Sequence, residues 1–317
     1  MIVGYKGDRR GGGDGRIVKR GTQELWATFA VAFVGITWGC WWIFLRLIEA
    51  RGISPGWTLA TVYGASGLIL LPLFVWRWRR WRALAWSVIA VGVAYGLPLA
   101  FWSHAVIHGN VVRVTLLFYM APVWGTLLAV TAFGERLTPL RLLAVVFGVI
   151  GAGAVLGLEQ GLPIPRTTQE WMALLAGALF ALAAAASRRW PDVSGYDSSF
   201  VMFLCSAVLG VVFAGLFGGE TMPAATSVFS ALPVVAFLGI VFAIPSQFVL
   251  CWAAARLDPG RVSTLIMFDV LATTVSARLL TSEPFGWHEM IGCLAILAAG
   301  VTSGVDQMRQ SRLAVAE

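Results

Sequence analysis

The sequence predicts an all-α membrane protein with ten transmembrane helices, arranged as two inverted five-helix repeats. Three observations predict this fold class. Long apolar runs alternate with short polar joints, basic residues gather in every second joint, and two distant segments resemble each other at a constant offset. The composition agrees, because 58% of the 317 residues are hydrophobic and 12% are charged, whereas soluble domains carry about a quarter charged residues.

Each of the ten apolar runs is long enough to cross a bilayer, for which about 17 to 25 residues are needed. Turn and cap residues separate them, as in Ser54-Pro55-Gly56 and Gly109-Asn110. The predicted spans are residues 26–48, 56–76, 84–106, 112–133, 139–158, 171–187, 198–217, 231–254, 262–281 and 286–305.

The basic residues predict the orientation of these spans. The N-terminal tail and the second joint are the most basic parts of the chain, and every later even-numbered joint also carries arginine, whereas the odd-numbered joints carry about one basic residue or none. Cytoplasmic loops carry such an excess. We therefore predict an inner (plasma) membrane protein with both termini in the cytoplasm. The basic residues that give the chain its positive net charge are then expected to lie near membrane lipid, and no binding of nucleic acid is expected.

An internal repeat relates the fourth and ninth spans. At an offset of 148 residues, Arg113 matches Arg261, Leu117 matches Leu265 and Glu135 matches Glu283. Each half then holds five helices, and because five is odd the second half runs in the opposite sense to the first. Inverted repeats of this kind recur in secondary transporters.

These features divide the chain into five parts. They are a basic cytoplasmic tail (1–24), a first five-helix repeat (25–158), a linker loop (159–170), a second five-helix repeat (171–305) and a cytoplasmic tail (306–317). The four cysteines fall inside apolar runs and form no Cys–x–x–Cys motif, so neither a metal site nor a cofactor is expected. The sequence leaves open a monomer or a homodimer.

Two motifs in the first half resemble a known family. Leu117-Phe118-Tyr119-Met120-Ala121-Pro122-Val123 and Gly134-Glu135-Arg136-Leu137-Thr138-Pro139 are similar to the hallmark of the EamA family of the drug/metabolite transporter superfamily. Trp38-Gly39, Arg46 and Ser54-Pro55 also look like the first helix of that family. The resemblance covers about residues 25 to 305.

This resemblance implies ten helices in two inverted halves around a central cavity. It also implies export of small metabolites, including amino acids, by alternating access, and some members are thought to be proton-coupled. The second half departs from the pattern, because Phe268-Asp269-Val270 stands where many members have a proline after this position, and Ser282-Glu283 replaces the usual Gly-Glu. These departures leave the substrate unassigned.

Asp269 is the acidic side chain placed deepest in a predicted span, about 12 Å from its cytoplasmic end at 1.5 Å per residue. A charge at that depth costs roughly 2.5–3.5 kcal/mol on insertion scales, and such residues usually face a cavity. Thr273 and Ser276 share its helical face. Asp269 and Thr273 are therefore predicted to bind substrate or exchange protons. The alternative is a structural carboxyl group that is hydrogen-bonded to a neighbouring helix.

Aromatic and polar residues of other spans are further candidates for lining the cavity. Tyr95 and Trp102 share one face of the third span, and Trp41 and Trp42 of the first span fit lipid contact as well as a cavity. Proline removes a backbone donor and can kink a helix near a gate. The candidates for lining are Tyr95, Trp102, Tyr119, Gln247 and Trp38, and those for kinks or gating are Pro98, Pro122 and Pro245.

The sequence thus predicts a secondary transporter that exports a small metabolite, such as an aromatic or hydrophobic amino acid, and no enzyme activity. One alternative is an intramembrane serine protease, because Gly64-Ala65-Ser66-Gly67 matches a string found around such serines. A nucleophilic serine needs a base within hydrogen-bond reach, and the candidate bases are predicted nearer the outer surface than Ser66. A membrane receptor without transport is the second alternative. His104 and His108, one turn apart, are weak candidates for a proton relay or metal pair, since a third ligand is lacking.

Overall fold

The fold is a bundle of membrane-spanning helices, described here from a computed structural model. The structure describes residues 14–132, 134, 137–156, 164–216, 220–254, 256–257, 259–283 and 285–316. Within these ranges, ten helices are long and apolar enough to cross a membrane, and no β-strand is present. The prediction of an all-α protein with ten transmembrane spans is therefore confirmed.

In the described part of the chain, fourteen α-helices and one π-helical segment build the ten spans, and a fifteenth α-helix lies in a joint. In chain order these are α1 (Asp14–Gly39), α2 (Trp41–Glu49), α3 (Pro55–Trp76), α4 (Trp78–Arg82), α5 (Ala85–His108), α6 (Val111–Phe118), α7 (Ala121–Thr131), α8 (Pro139–Leu156), α9 (Thr168–Arg189), α10 (Gly195–Leu216), α11 (Ala225–Ala236), the π segment (Phe237–Ala243), α12 (Ile244–Ala254), α13 (Pro259–Ile266), α14 (Phe268–Leu280) and α15 (Trp287–Ala316). Spans 1, 4 and 9 are pairs of helices (α1 and α2, α6 and α7, α13 and α14). Span 8 runs through the π segment, and α4 lies in a joint.

Several boundaries differ from the prediction. Span 6 begins at Thr168 and not at residue 171, because Thr167 and Glu170 form a capping box in which each side chain accepts from the other's backbone N–H. Span 8 begins at Ala225, six residues before its predicted start. Helices also extend into both predicted tails, from Asp14 and up to Ala316. Residues 1–13 of the first tail and 159–163 of the predicted linker lie outside the described residues, as does Glu135.

The helix packing fits the predicted repeat. Span 2 packs on span 7, span 5 on span 10, span 1 on span 9 and span 4 on span 6. In a five-plus-five repeat, each span is equivalent to the span five places further on. Replacing every span by its equivalent leaves the pairs 2–7 and 5–10 unchanged and exchanges the pairs 1–9 and 4–6. The interruptions of spans 4 and 9 also correspond, because Tyr119 and Met267 are separated by the predicted offset of 148.

Two glycines show the same correspondence at atomic detail. A Cβ on Gly177 of span 6 would lie 2.5 Å from the carbonyl oxygen of Phe118 in span 4. A Cβ on Gly35 of span 1 would lie 3.1 Å from the carbonyl oxygen of Ile266 in span 9. Phe118 and Ile266 are again 148 residues apart. Small residues let helix backbones approach closely in a membrane, and here they do so at matching positions.

Carboxylates of the second half bind groups of the first half at both ends of the bundle. We call the end that carries residues 50–54, 109–110 and 281–286 the odd-joint end, and the end that carries residues 77–84 and 190–194 the even-joint end. At the odd-joint end Glu220 accepts from Ser54 Oγ and Gly56 N. At the even-joint end Asp197 pairs with Arg77 at 2.6 Å, and this hydrogen bond raises the pKa of the Arg77 guanidinium.

Candidate functional site

The centre of the candidate site is the point where the interruptions of spans 4 and 9 meet. Tyr119 follows the last residue of α6, and Asp269 lies in the first turn of α14. The Tyr119 hydroxyl donates a hydrogen bond of 2.5 Å to Asp269 Oδ2, and both residues are buried with 7% exposure. The first turn of a helix favours negative charge through the helix dipole. The interrupted helix therefore helps to stabilise a carboxylate in the middle of the bundle.

Thr273 and span 1 complete the surroundings of this carboxylate. The Thr273 hydroxyl lies 3.0 Å from Asp269 Oδ1 and 3.1 Å from the carbonyl oxygen of Gly39. Ser276 Oγ, one turn further along α14, lies 3.1 Å from the carbonyl oxygen of Thr273. Asp269, Thr273 and Ser276 thus lie on one helical face, and that face is turned towards the interruption in span 1.

Gly39 allows span 1 to reach this face. A Cβ on Gly39 would lie 2.5 Å from Asp269 O and 2.6 Å from Ala272 Cβ. Both distances are shorter than those at which Cβ atoms approach other heavy atoms in proteins. Only glycine fits there without displacing a helix. Span 1 is interrupted at the next residue, Cys40, where α1 ends and α2 begins.

An aromatic cluster lies beside Tyr119. The ring of Phe118 contacts those of Tyr119, Phe180 and Trp102, with centroids 5.3, 5.5 and 6.4 Å apart. Phe180 in turn contacts Tyr95 at 5.8 Å. The structure therefore brings Tyr95, Trp102 and Tyr119 into one cluster. Phe118 and Phe180, which link them, were missed in the sequence, although Phe118 directly precedes Tyr119.

Polar groups of this cluster differ in their partners. The Tyr95 hydroxyl accepts from Ser187 Oγ at 3.2 Å. Trp102 Nε1 is buried and has no hydrogen-bond acceptor among the described residues. Leaving a buried N–H group unpaired costs about 1–3 kcal/mol, so a bound molecule with an acceptor would relieve this cost.

The remaining candidates lie apart from the carboxylate. Gln247 Nε2 is 3.8 Å from Met202 Sδ in span 7, and Trp38 is half-buried in the last turn of α1. The hydrogen bonds and ring contacts of the described residues do not join either side chain to Asp269.

The three predicted kink prolines occupy different kinds of position. Pro98 lies inside the continuous helix α5, and Pro122 lies in the first turn of α7, just after the interruption of span 4. Pro245 is the second residue of α12, where the π segment ends. Two of the three therefore coincide with an irregularity of a span.

Trp41 and Trp42 are buried and do not face lipid. Trp41 stacks on Tyr63 with ring centroids 6.3 Å apart and also contacts Phe242. Trp42 is 3% exposed, and its Nε1 donates to Ser276 Oγ at 3.1 Å. Of the two readings of these residues, the structure supports the one that places them inside the protein.

A cavity of about 880 Å³ opens at the odd-joint end. Spans 1, 3 and 9 and the joints after them line it, and Arg46, Glu49, His108 and Glu283 are among its polar residues. Arg46 Nη1 pairs with Glu283 Oε1 at 3.0 Å, and His108 Nδ1 lies 3.2 Å from Glu49 Oε1. We call this space the odd-joint cavity. A second cavity, of about 520 Å³, lies at the even-joint end and is lined by Leu84, Ser87 and residues 188–193.

The residues of the other hypotheses have structural partners. Ser66 is fully buried and donates to the carbonyl oxygen of Val62 in its own helix. His104 packs against Phe213 with ring centroids 5.1 Å apart, while His108 faces Glu49. No group of three or more metal-ligating side chains is found in the described part of the chain.

Comparisons with known proteins agree with this fold. The sequence profile of the EamA-like transporter family matches residues 25–157. A solved structure, described as "Crystal structure of protein", is 19% identical with a TM-score of 0.54, and the match covers 90% of this chain and 98% of that one. At this identity the match supports the shared fold alone. The comparison with curated proteins found no match.

The family match confirms the resemblance that was seen in the sequence over residues 25–157. It begins near the start of span 1 and ends with span 5, so it covers the first five of the ten spans. Residues 25–157 of this multi-pass membrane protein therefore match the EamA-like transporter family, which is part of the drug/metabolite transporter superfamily.

Proposed function

We propose that this protein is a secondary transporter that exports a small metabolite across the plasma membrane by alternating access around Asp269. The observation that carries the proposal is the hydrogen bond between Tyr119 and Asp269, which joins the interruptions of spans 4 and 9 in the middle of the bundle. In transporters built from repeats, interrupted helices typically form the substrate site near the midplane. The match to a transporter family supports the same function.

The arrangement of cavities supports alternating access. Arg46 lines the odd-joint cavity and Arg188 lines the cavity at the other end. These arginines are 142 residues apart, the same offset that relates Gly35 to Gly177. A repeat that places equivalent residues at opposite ends suits a mechanism in which the two ends open in turn. By the distribution of basic residues, the odd-joint end faces outwards and both termini lie in the cytoplasm.

Asp269 and the aromatic cluster together favour an amino acid substrate. A carboxylate binds an ammonium group well, and aromatic rings suit an apolar or aromatic side chain. Phe118 links the two, because its ring contacts that of Tyr119, the hydrogen-bond partner of Asp269. An aromatic or hydrophobic amino acid could place its ammonium group at Asp269 and its side chain near Phe118 and Trp102. Exchange of a proton at Asp269 would couple export to the proton gradient.

Among the described residues, no specific contact favours either alternative function. Ser66 directs its hydroxyl to a backbone carbonyl and not to a base, and a receptor would not need a carboxylate within interrupted helices. The transporter is therefore the function that the geometry supports best.

An uptake screen in inside-out vesicles tests this proposal. Radiolabelled amino acids, purines and vitamins are offered with and without an imposed proton gradient, and vesicles that lack the protein serve as the control. We expect saturable uptake of at least one amino acid that depends on the gradient. Uptake equal to the control for every compound would contradict the transport function, whereas saturable uptake without gradient dependence would contradict only proton coupling.

A further inference from the structure

The face of α14 that carries Asp269 continues towards the odd-joint cavity. At a rise of 1.5 Å per residue, Ser276 lies about 10 Å and Leu280 about 16 Å beyond Asp269 along the helix. Leu280 lines the odd-joint cavity, whereas Asp269 does not. Some group at the level of Ser276 must therefore separate the cavity from the carboxylate.

Trp42 occupies this level. Its indole Nε1 donates to Ser276 Oγ at 3.1 Å, and its side chain also borders the odd-joint cavity. Ser276 Oγ lies within 3.5 Å of the carbonyl oxygen of Gly39, the same oxygen that Thr273 approaches beside Asp269. The indole therefore has the cavity on one side and the surroundings of the carboxylate on the other.

Arg46 covers Trp42 from the side of the cavity. Its guanidinium carbon lies 5.2 Å from the centre of the Trp42 ring. The same guanidinium donates to the carbonyl oxygens of Val106 and Gly109, at 3.2 and 2.6 Å, and pairs with Glu283. It thus connects span 1 with the end of span 3 and with the joint between spans 9 and 10.

We propose that Trp42 is the gate residue between Asp269 and the odd-joint cavity, and that the ion pair of Arg46 with Glu283 holds it closed. The inference rests on the proposed transport function, because a gate has a purpose only if a substrate passes. To leave through the odd-joint end, the substrate displaces the indole from Ser276, and α2 moves relative to α14. The interruption at Cys40 gives α2 the freedom to move without α1.

Thiol labelling tests the gate without any need for a substrate. The background variant carries Cys40→Ala, Cys205→Ala, Cys251→Ala and Cys293→Ala. Two reporters are introduced separately: Leu280→Cys on the cavity side of Trp42 and Thr273→Cys on the Asp269 side. Intact cells are treated with a charged, membrane-impermeant methanethiosulfonate, and labelling rates are compared with Trp42 present and with Trp42→Ala.

We expect the Leu280→Cys reporter to react quickly in both backgrounds. The Thr273→Cys reporter should react slowly with Trp42 present and on the order of tenfold faster in Trp42→Ala, since one hydrogen bond and the blocking ring are lost together. Trp41→Ala is the matched control, because Trp41 is the neighbouring buried indole but packs against Tyr63 and Phe242. It should leave both rates within about twofold.

A milder variant guards against misfolding. Glu283→Gln keeps the shape of the side chain, and its amide oxygen can still accept from Val111 N. Because it removes the negative charge opposite Arg46, it should accelerate labelling of the Thr273→Cys reporter by about threefold. Equal acceleration by Trp41→Ala and Trp42→Ala would overturn the proposal, because the effect would then reflect loosened packing. So would an unlabelled Leu280→Cys reporter, or a Thr273→Cys rate that neither Trp42→Ala nor Glu283→Gln changes. None of these outcomes decides whether the protein transports a metabolite, which the vesicle screen determines separately.

Discussion

The hydroxyl of Tyr119 and the carboxylate of Asp269 form a hydrogen bond of 2.5 Å across 150 residues of sequence. Tyr119 belongs to the first half of the chain and Asp269 to the second, and each lies at the interruption of its span. Any movement of the two halves against each other must either break this hydrogen bond or keep Tyr119 and Asp269 together. The predictions below begin with it.

Asp269→Asn is expected to abolish transport or to uncouple it from the proton gradient, while the protein still inserts. Asparagine keeps the shape of the side chain and can accept from Tyr119, but it carries no charge and exchanges no proton. Uptake in inside-out vesicles measures the effect, and the yield of folded protein measures insertion. Asp192→Asn, an exposed carboxylate at the even-joint end, is the control. Proton-coupled export at the wild-type rate by the Asp269→Asn protein would refute the role of the carboxylate.

Tyr119→Phe is expected to reduce transport and to lower the free energy of unfolding by about 1–3 kcal/mol, because a buried carboxylate oxygen loses its donor. Tyr63→Phe is a matched control, since Tyr63 is also buried and its hydroxyl shares a 2.5 Å hydrogen bond with Ser103. Both variants should lose similar stability in chemical unfolding experiments, but only Tyr119→Phe should slow uptake. An equal loss of uptake in both would mean that stability alone explains the effect.

Gly39→Ala is expected to destabilise the protein by about 1–3 kcal/mol or more, because the new methyl group overlaps the backbone of span 9. Gly125→Ala provides the comparison, since a Cβ at Gly125 meets no atom within 4 Å. Thermal unfolding in detergent compares the two variants. If both unfold at the wild-type temperature, the close contact between spans 1 and 9 is not as the structure describes it.

Asp197→Asn is expected to lower the free energy of unfolding by about 1.5–3 kcal/mol, the range for hydrogen bonds to charged groups, because the Arg77 side chain that remains is 21% exposed and can be solvated. Asp197 is 4% exposed and accepts two hydrogen bonds from Arg77, at 2.6 and 3.0 Å. Arg77→Lys keeps the charge but cannot make both bonds in the same geometry, so its loss should be smaller. Unfolding midpoints that are unchanged in both variants would show that the pair contributes nothing.

Ser66→Ala is expected to leave transport unchanged and to cost no more than about 1 kcal/mol, because the hydroxyl donates only to the carbonyl oxygen of Val62. A proteolysis assay on the wild-type protein and the variant is the decisive measurement. Proteolytic activity that disappears in Ser66→Ala would restore the serine protease hypothesis.

The span count was predictable because hydropathy is a local property of the sequence. The irregularities within spans were only partly predictable. Pro122 marks the interruption of span 4, but span 9 is interrupted at Met267 without a proline nearby. Span 1 approaches span 9 closely at this point, since a Cβ on Gly35 would lie 3.1 Å from the carbonyl oxygen of Ile266, and a tertiary contact of this kind leaves no local signal in the sequence.

The sequence predicted single residues of the candidate site from their depth in the membrane. It did not predict which residues of other spans these side chains contact. Asp269 and Thr273 stood out as polar residues of one face. The link from Asp269 to Tyr119 depends on which spans pack together, which a single sequence does not encode locally. The sequence left the position of Trp42 open between lipid and a cavity for the same reason, although the spacing of Trp42 and Arg46 by one helical turn hinted at their contact.

The distribution of charge between the halves has a consequence for biosynthesis. Several arginines of the first half pair with carboxylates that follow span 5, namely Arg46 with Glu283, Arg77 with Asp197, Arg113 with Glu170 and Glu289, and Arg141 with Asp306. One pair runs the other way, from Arg261 to Glu24 of span 1, at 4.0 Å. A ribosome that has completed only span 5 has therefore produced four cations without these counterions. The nascent first half lacks these partners until translation supplies the second, so we expect the two halves to assemble together as one unit.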